Sequence, residues 1–536
     1  MKKLFAMLLA LAMILCLATT AFAADNTVVT FADGEARTYN GYQLLNLTVS
    51  LKSGEHHTDH EGDHTDECYN YAYTVNDKYR AILQAETFAN GRNELWLPNG
   101  KPADASGVTD AQILDYLSKQ GSDNGDVFGT MRGVADRIYR EILKANIEAD
   151  KTGLSGTAPA IAQGYWMFAD TSDVTGGEDA NSLVVVDTKG DAAITITPKV
   201  AIPTVEKKVK DIDDSEDSNI LDNAWQDAAD HDLGDAVPFK LTATLPSNAK
   251  YYTSYKIVFH DTLSAGLTFN ADSVKVLMYD TKHKADVDTD LNDYAKDVTG
   301  YFTVTPNDQT FTVGSDNVFA IDGVTKDTAF VVYYEATLNE NAVMGSTGNP
   351  NEVYLEYSNN PYGDGTGKTE EDKVIVFTYQ MIVNKVDSHG HELKGAGFTL
   401  YKKTLLNNEY VAIGEELYGG DMVTFTWTGL DDGDYKLVET HVPDGYNKMD
   451  DIVFSISATH SETAAEPALT SLDGGLMGTG VVDTGAITKD IINNTGTVLP
   501  ETGAKGTIML IGTSSLFVMV AAVFMITRKK MSIYED

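Results

Sequence analysis

The chain has 536 residues, 43% hydrophobic and 22% charged, which suits about three ordinary domains and excludes wholesale disorder. Asp and Glu number 79 against 40 Lys and Arg, a formal net charge of -39, and such a field repels nucleic acid, whose capture rests on phosphate neutralisation by Lys and Arg. The 27 Tyr and 45 Gly favour strands and turns, and two cysteines, Cys16 and Cys68, give no disulfide framework if the first leaves with a leader.

Met1-Lys2-Lys3, an apolar run from Leu4 to Ala18 and Ala21-Phe22-Ala23 predict a secretory signal peptide over residues 1–23, and hence export. Cys16 follows Leu15, so lipoprotein processing is not expected. Residues 24–200 read as a mixed unit. Strands are predicted at 26–31, 42–49, 182–187 and 193–197. Apolar residues at helical spacing are Ala111, Leu114, Tyr116 and Leu117, then Met131, Val134, Ile138, Ile142 and Leu143. The loop 53–67 collects His56, His57, His60 and His64 with Asp59 and Asp63, near Cys68. These types can hold zinc, but the spacing fits no established motif and the loop reads as a solvated one.

Pro203 marks a boundary. From 201 to 376, strands recur between turns, at Val237–Leu245, Tyr255–Phe259, Ser273–Met278, Ala329–Leu338 and Val353–Tyr357, a density that argues a β-sandwich. Asp286-x-Asp288-x-Asp290 hints at a calcium loop, but Leu291 stands where an EF-hand needs Gly, so no metal or cofactor is expected. Thr204-Val-Glu-Lys-Lys-Val209, Gly234 to Pro246, Ile257-Val-Phe-His-Asp261 to Phe269 and Asn351 to Asn359 are similar to the middle, isopeptide-forming domain of fimbrial major subunits. That resemblance implies a CnaA-like sandwich with a lysine, an acid and an asparagine at Lys207, Asp261 and Asn351. Lys207 and Val209 share one strand face and Lys208 takes the other, which favours Lys207 over Lys208. In major pilins a Tyr-Pro-Lys-Asn motif precedes this domain and supplies the amine for polymerisation. Here Thr197-Pro198-Lys199-Val200 stands at that place, so Lys199 is the expected acceptor.

Residues 377–496 continue in short strands, at Met381–Val386, Phe398–Tyr401, Val423–Trp427, Tyr435–Glu439 and Ile452–Ile456. Met381-Ile-Val-Asn-Lys385-Val-Asp387, Leu393 to Tyr401, and Gly433 to Tyr446 with its Glu439-Thr-x-x-Pro-x-Gly-Tyr stretch resemble a CnaB-type (SpaA-type pilin) domain. The resemblance implies a spontaneous isopeptide bond from Lys385 to Asn493, with Glu439 as the acid and Asn494 as second choice for the asparagine. The chemistry is independent of the family. Burial lowers a lysine pKa and raises a carboxyl pKa, so a buried amine can attack an amide while a protonated acid polarises its carbonyl and serves the leaving ammonia.

Leu499-Pro500-Glu501-Thr502-Gly503, an apolar stretch from 506 to 527 and Arg528-Lys529-Lys530 occupy residues 499–536. This order resembles the LPxTG cell-wall sorting signal of Gram-positive surface proteins, which implies sortase cleavage between Thr502 and Gly503 after a transient membrane anchor. The expected molecule is mainly β, with tandem Ig-like sandwiches behind a mixed first domain. It is a structural pilus subunit on the cell wall, with sortase, identical subunits, peptidoglycan and a host surface ligand as partners. A monomeric wall-anchored adhesin is the alternative. No G-x-S-x-G, H-E-x-x-H or phosphate loop stands in a convincing context, and no enzyme is expected.

Overall fold

The computed structural model describes residues 26–495, apart from residues 34–35, 52–56, 60–61, 65–68, 98, 122–128, 190–192, 213–224, 288–293 and 405–408. The signal peptide, Thr502, Gly503, the 506–527 stretch, His56, His60, Cys68, Asp288, Asp290 and Leu291 lie outside the described residues. No described helix is long and apolar enough to cross a membrane.

In the first region, strands β1 (Asn26–Phe31), β2 (Tyr39–Leu51) and β3 (Tyr69–Val75) precede helices α1 (Arg80–Asn90), α2 (Asp110–Ser118) and α3 (Met131–Lys144). Strands β4 (Thr157–Ala162), β5 (Gly164–Asp170), β6 (Leu183–Asp187) and β7 (Ile194–Ile196) come next. One sheet runs β3-β2-β5-β6 and a smaller one β7-β1-β4. Thr109 and Gln112 close a capping box on α2, and the Thr130 hydroxyl accepts from the Gly133 N–H to start α3. The three helices bury Leu83, Ile113, Tyr116, Val134, Ile138 and Ile142 against Tyr42, Leu44 and Met167 of the larger sheet. Helix α1 is not evident in the sequence because its Tyr79 N-cap has no side-chain cap bond and its inner face carries Glu86 and Thr87.

The middle region is a two-sheet sandwich. Its strands are β8 (Thr204–Lys210), β9 (Ala228–Asp230), β10 (Ala236–Thr244), β11 (Ile257–Leu263), β12 (Leu267–Tyr279), β13 (Thr310–Ser315), β14 (Ala329–Leu338), β15 (Asn349–Ser358) and β16 (Asp372–Phe377). One sheet contains β8-β10-β14-β12 and the other β9-β16-β15-β11-β13, each extended by short edge strands. Strict alternation along β15 turns Asn349, Asn351, Val353, Leu355 and Tyr357 inward and the residues between them outward.

The third region holds β17 (Tyr379–Asp387), β18 (Gly397–Thr404), β19 (Thr424–Leu430), β20 (Gly433–His441), β21 (Ile452–His460), β22 (Leu469–Asp473) and β23 (Ala486–Asn493). Its sheets run β19-β17-β23 and β18-β20-β21-β22, with small additions on β18. Thr378 alone separates β16 from β17, and the two regions bond directly: Ser346 N–H to Val482 O and Leu233 N–H to Gly429 O, both 2.9 Å. Gly345 (φ +80°) sits so close to this junction that a Cβ would lie 2.4 Å from the Gly485 nitrogen. The chain is therefore mainly β, with tandem sandwiches behind a mixed first region, as its patterning implies.

Candidate functional site

On β8, Lys207 and Val209 face the sandwich interior, and Lys207 is fully buried. Lys208 points the other way and pairs with Asp227 at 2.6 Å. The facing sheet presents Asp261 from β11 and Asn351 from β15, both buried, where Leu263 lies opposite Asn351 in the antiparallel register. The Lys207 ammonium bonds directly to Asp261 Oδ2. Tyr334 from β14 completes the cluster. Its hydroxyl donates to Asp261 Oδ2 at 3.0 Å and accepts from Lys207 Nζ at 3.0 Å and from Asn351 Nδ2 at 2.8 Å. Aromatic rings enclose the group: Phe239 stacks on Tyr334 at 5.2 Å, and Phe311 and Phe269 meet it edge-on at 4.9 and 5.7 Å. Burial lowers the Lys207 pKa against the pull of Asp261, and burial raises the Asp261 carboxyl against the pull of Lys207. The two values approach one another, so the amine can lose its proton to the acid beside it.

The third region holds a second cluster. Lys385 continues the inward face of Tyr379, Met381 and Val383 on β17, and it is fully buried. Strand β23 runs parallel to β17 with Lys385 opposite Ile491 and Asp387 opposite Asn493, so Lys385 and Asn493 are diagonal neighbours on one sheet face. Lys385 Nζ donates to the Ile491 and Val386 carbonyls at 3.0 and 3.3 Å. Glu439 comes from β20 in the facing sheet. Its Oε1 accepts from Asn493 Nδ2 at 2.7 Å and its Oε2 from the Met449 N–H at 2.9 Å. Burial lowers the Lys385 pKa to about 8, with the Glu439 charge opposing. Roughly a tenth of the amine is then neutral at pH 7, against about one part in 3,000 for an ordinary lysine.

Of the two places expected for the acid, the carbonyl oxygen and the amide nitrogen of the asparagine, both clusters show the polar partner at the nitrogen. Asn351 Oδ1 and Asn493 Oδ1 are buried without a hydrogen-bond partner. The asparagine nitrogen thus meets Tyr334 in the middle region and Glu439 in the third. Asn494 is exposed, and its carbonyl accepts from the Asn447 N–H at 3.0 Å. Lys199 is exposed in the stretch between β7 and β8 and belongs to neither cluster. Of the His-rich loop, the backbone of His57–Asp59 pairs with Gly62–His64. Tyr334 is not among the residues expected from sequence; the one available signal is a phenol on the strand face otherwise formed by Phe330, Val332, Ala336 and Leu338.

A third group of charges lies where the middle and third regions meet. His460 Nε2 faces Asp211 and Asp230 at 3.3 and 3.4 Å, and Tyr379 donates to Asp230 at 2.7 Å. Burial alone would lower the His460 pKa, but the bonds to Asp211 and Asp230 raise it to about 10.

Residues 379–467 match a family model described as SpaA, prealbumin-like fold domain. Residues 233–361 match Gram-positive pilin backbone subunit 2, Cna-B-like domain, where the sequence resemblance implies a CnaA-like sandwich. The trypsin-resistant surface T6 protein of Streptococcus pyogenes serotype M6 is 28% identical over 273 residues, 47% of this chain and 45% of that protein, so the match spans about half of each. The T6 backbone pilin structure of the same species aligns at 18% identity and a TM-score of 0.48, covering 90% of this chain and 100% of that one. The major pilin BcpA of Bacillus cereus gives 18% and 0.36 (65% and 91% covered), and full-length RrgB of Streptococcus pneumoniae 13% and 0.38 (65% and 86%). The chain carries a SpaA prealbumin-like domain and a Gram-positive pilin backbone Cna-B-like domain, and it is homologous to the T6 protein.

Proposed function

We propose that this protein is the backbone subunit of a covalently joined surface pilus, hardened by one Lys207–Asn351 and one Lys385–Asn493 isopeptide bond. The observation that carries the reading is the pair of buried clusters, each placing a lysine, an acid and an asparagine in the core of its own sandwich. An isolated buried lysine costs several kcal/mol and is kept only when its charge is compensated or removed. Amide formation removes it. The lysine nitrogen bonds the asparagine Cγ, the Cγ–Nδ2 bond breaks, and ammonia leaves with the proton that the acid delivers. The rigid sandwich holds the reactants in place, and such proximity contributes about 7–11 kcal/mol.

Polymerisation is the second half of the reading. Sortase transfers the Thr502 acyl group of one subunit to the exposed Lys199 of the next, releasing the segment that begins at Gly503. A head-to-tail link of this kind does not close on itself and builds a fibre. The last subunit passes to peptidoglycan. The test uses cells that express a pilus-type sortase. Wild-type chain is expected as a ladder of SDS-resistant species, and Lys199→Ala as wall-bound monomer. A ladder that survives Lys199→Ala moves the acceptor to another lysine. Wild-type monomer alone leaves the wall-anchored adhesin.

A further inference from the structure

We propose that Tyr334 is a catalytic residue of the Lys207–Asn351 bond, its hydroxyl carrying a proton from Asp261 to the departing nitrogen of Asn351. The inference rests on the reading that this bond forms. It starts from a difference between the clusters. In the third region Glu439 touches the asparagine nitrogen itself, at 2.7 Å. In the middle region the acid is an aspartate, one methylene shorter, and among the described residues the hydrogen-bond partner of Asn351 Nδ2 is the Tyr334 hydroxyl, at 2.8 Å. The same hydroxyl donates to Asp261 Oδ2 at 3.0 Å. Aspartate and tyrosine together thus reach the atom that glutamate reaches alone.

The phenol has a single proton, and the contacts use it consistently. It is donated to Asp261, while the oxygen lone pairs accept from Lys207 and Asn351. Packing does not require that hydroxyl. The ring stacks among Phe239, Phe269 and Phe311, where phenylalanine would fit equally, and a buried hydroxyl is costly unless bonded. Burial and the Asp261 charge hold the phenol well above its ordinary pKa, so it stays protonated between transfers.

In the balanced step, Lys207 first gives one proton to Asp261. Its lone pair then forms the bond to Asn351 Cγ, and the carbonyl electrons move to oxygen. Tyr334 hands its proton to Nδ2 and takes the one on Asp261, which leaves Asp261 a carboxylate. The carbonyl reforms, the Cγ–Nδ2 pair departs with ammonia, and the new amide nitrogen returns its surplus proton to Asp261. Asp261 ends neutral, the state its burial favours.

The test tracks the full chain after cell-free synthesis and quantifies the two cross-linked peptides over time by mass spectrometry. The Lys385–Asn493 peptide serves as the internal clock. Tyr334→Phe is expected to slow the Lys207–Asn351 peptide about 100-fold and to leave the clock unchanged. Tyr333→Phe removes the neighbouring hydroxyl on the opposite face of β14, outside the cluster, and is expected within about threefold of wild type. A Tyr334→Phe rate within twofold of wild type overturns the proposal, as does equal slowing by Tyr333→Phe. A second measurement needs no variant. The wild-type rate in mixtures of H2O and D2O is expected to fall along a curve, because two protons move together, and a straight dependence overturns the relay. If wild type makes only the Lys385–Asn493 peptide, the reading of the middle cluster fails and this inference falls with it; a slow variant beside a fast wild type separates the two.

Discussion

The middle and third regions place the same residue types differently across their two sheets. In the middle region Lys207 stands on one sheet, and Asp261 and Asn351 on neighbouring strands of the other. In the third region Lys385 and Asn493 share a sheet, and Glu439 reaches over from the facing one. A bond in the first arrangement ties sheet to sheet; in the second it ties the first strand of the region to the last. What the two share is a buried amine beside an acid, and that, rather than one topology, is what the chemistry demands. The first region is the contrast. Among the described residues its buried cation is Arg37, bound to Asp170 and Asp179, and a guanidinium does not deprotonate to become a nucleophile. That cluster can be an ionic tie only.

The largest expected effect breaks the two bonds separately. Asp261→Ala and Glu439→Ala should each abolish one loss of about 17 Da, seen as intact mass. By analogy with disulfides, a cross-link closing a loop of roughly 110 to 145 residues contributes about 5 kcal/mol, so each variant should melt its own region well below wild type. One variant removing both mass losses would dissolve the comparison.

A smaller effect concerns the seam between the regions. His460 has its pKa raised in the folded chain, so its contribution is full below about pH 6.5 and is lost as pH rises towards about 10. Asp211, Asp230 and, beyond them, His231 and Tyr379 face the same seam. The two sandwiches should unfold as one calorimetric unit at pH 6 and separate into two transitions near pH 10, a change of a few kcal/mol. His460→Gln should show the split already at pH 6, and a profile unaltered by pH would place the coupling elsewhere.

The smallest effect is on rate. Formation of the Lys385–Asn493 bond should rise about fivefold from pH 7 to 8 and level off above, in step with the neutral amine. The Lys207–Asn351 bond should respond less, because Lys207 and Asp261 exchange a proton internally. Parallel time courses across pH 6–9 distinguish them, and identical profiles would argue against that exchange.

Much of this is legible in the sequence where a single strand carries the information. Strand parity separates Lys207 from Lys208, whereas Lys385 is placed by resemblance, because Ile382 and Val386 leave the other face of its strand nearly as apolar. Tyr334 is not legible, because its role exists only where strands from distant parts of the chain converge on one oxygen. The seam is hidden for the same reason: Asp211, Asp230 and His460 share no motif and no periodicity. Helix α1 is obscured because a buried Glu86, held by Arg137 at 2.7 Å and by Tyr116 at 2.7 Å, breaks the apolar stripe that spacing arguments look for.

The parallel pairing of β17 and β23 has a mechanical consequence. The chain enters the third region at Tyr379 and leaves it beyond Asn493, at opposite ends of two strands that run side by side. Tension applied between these two ends would slide the two strands past each other, loading the rungs of the ladder together, instead of peeling them open one by one. A bond from Lys385 to Asn493 would intercept that load. Force would pass from β17 through one amide into the tail, and the polypeptide between Lys385 and Asn493 would hang slack beside the line of pull.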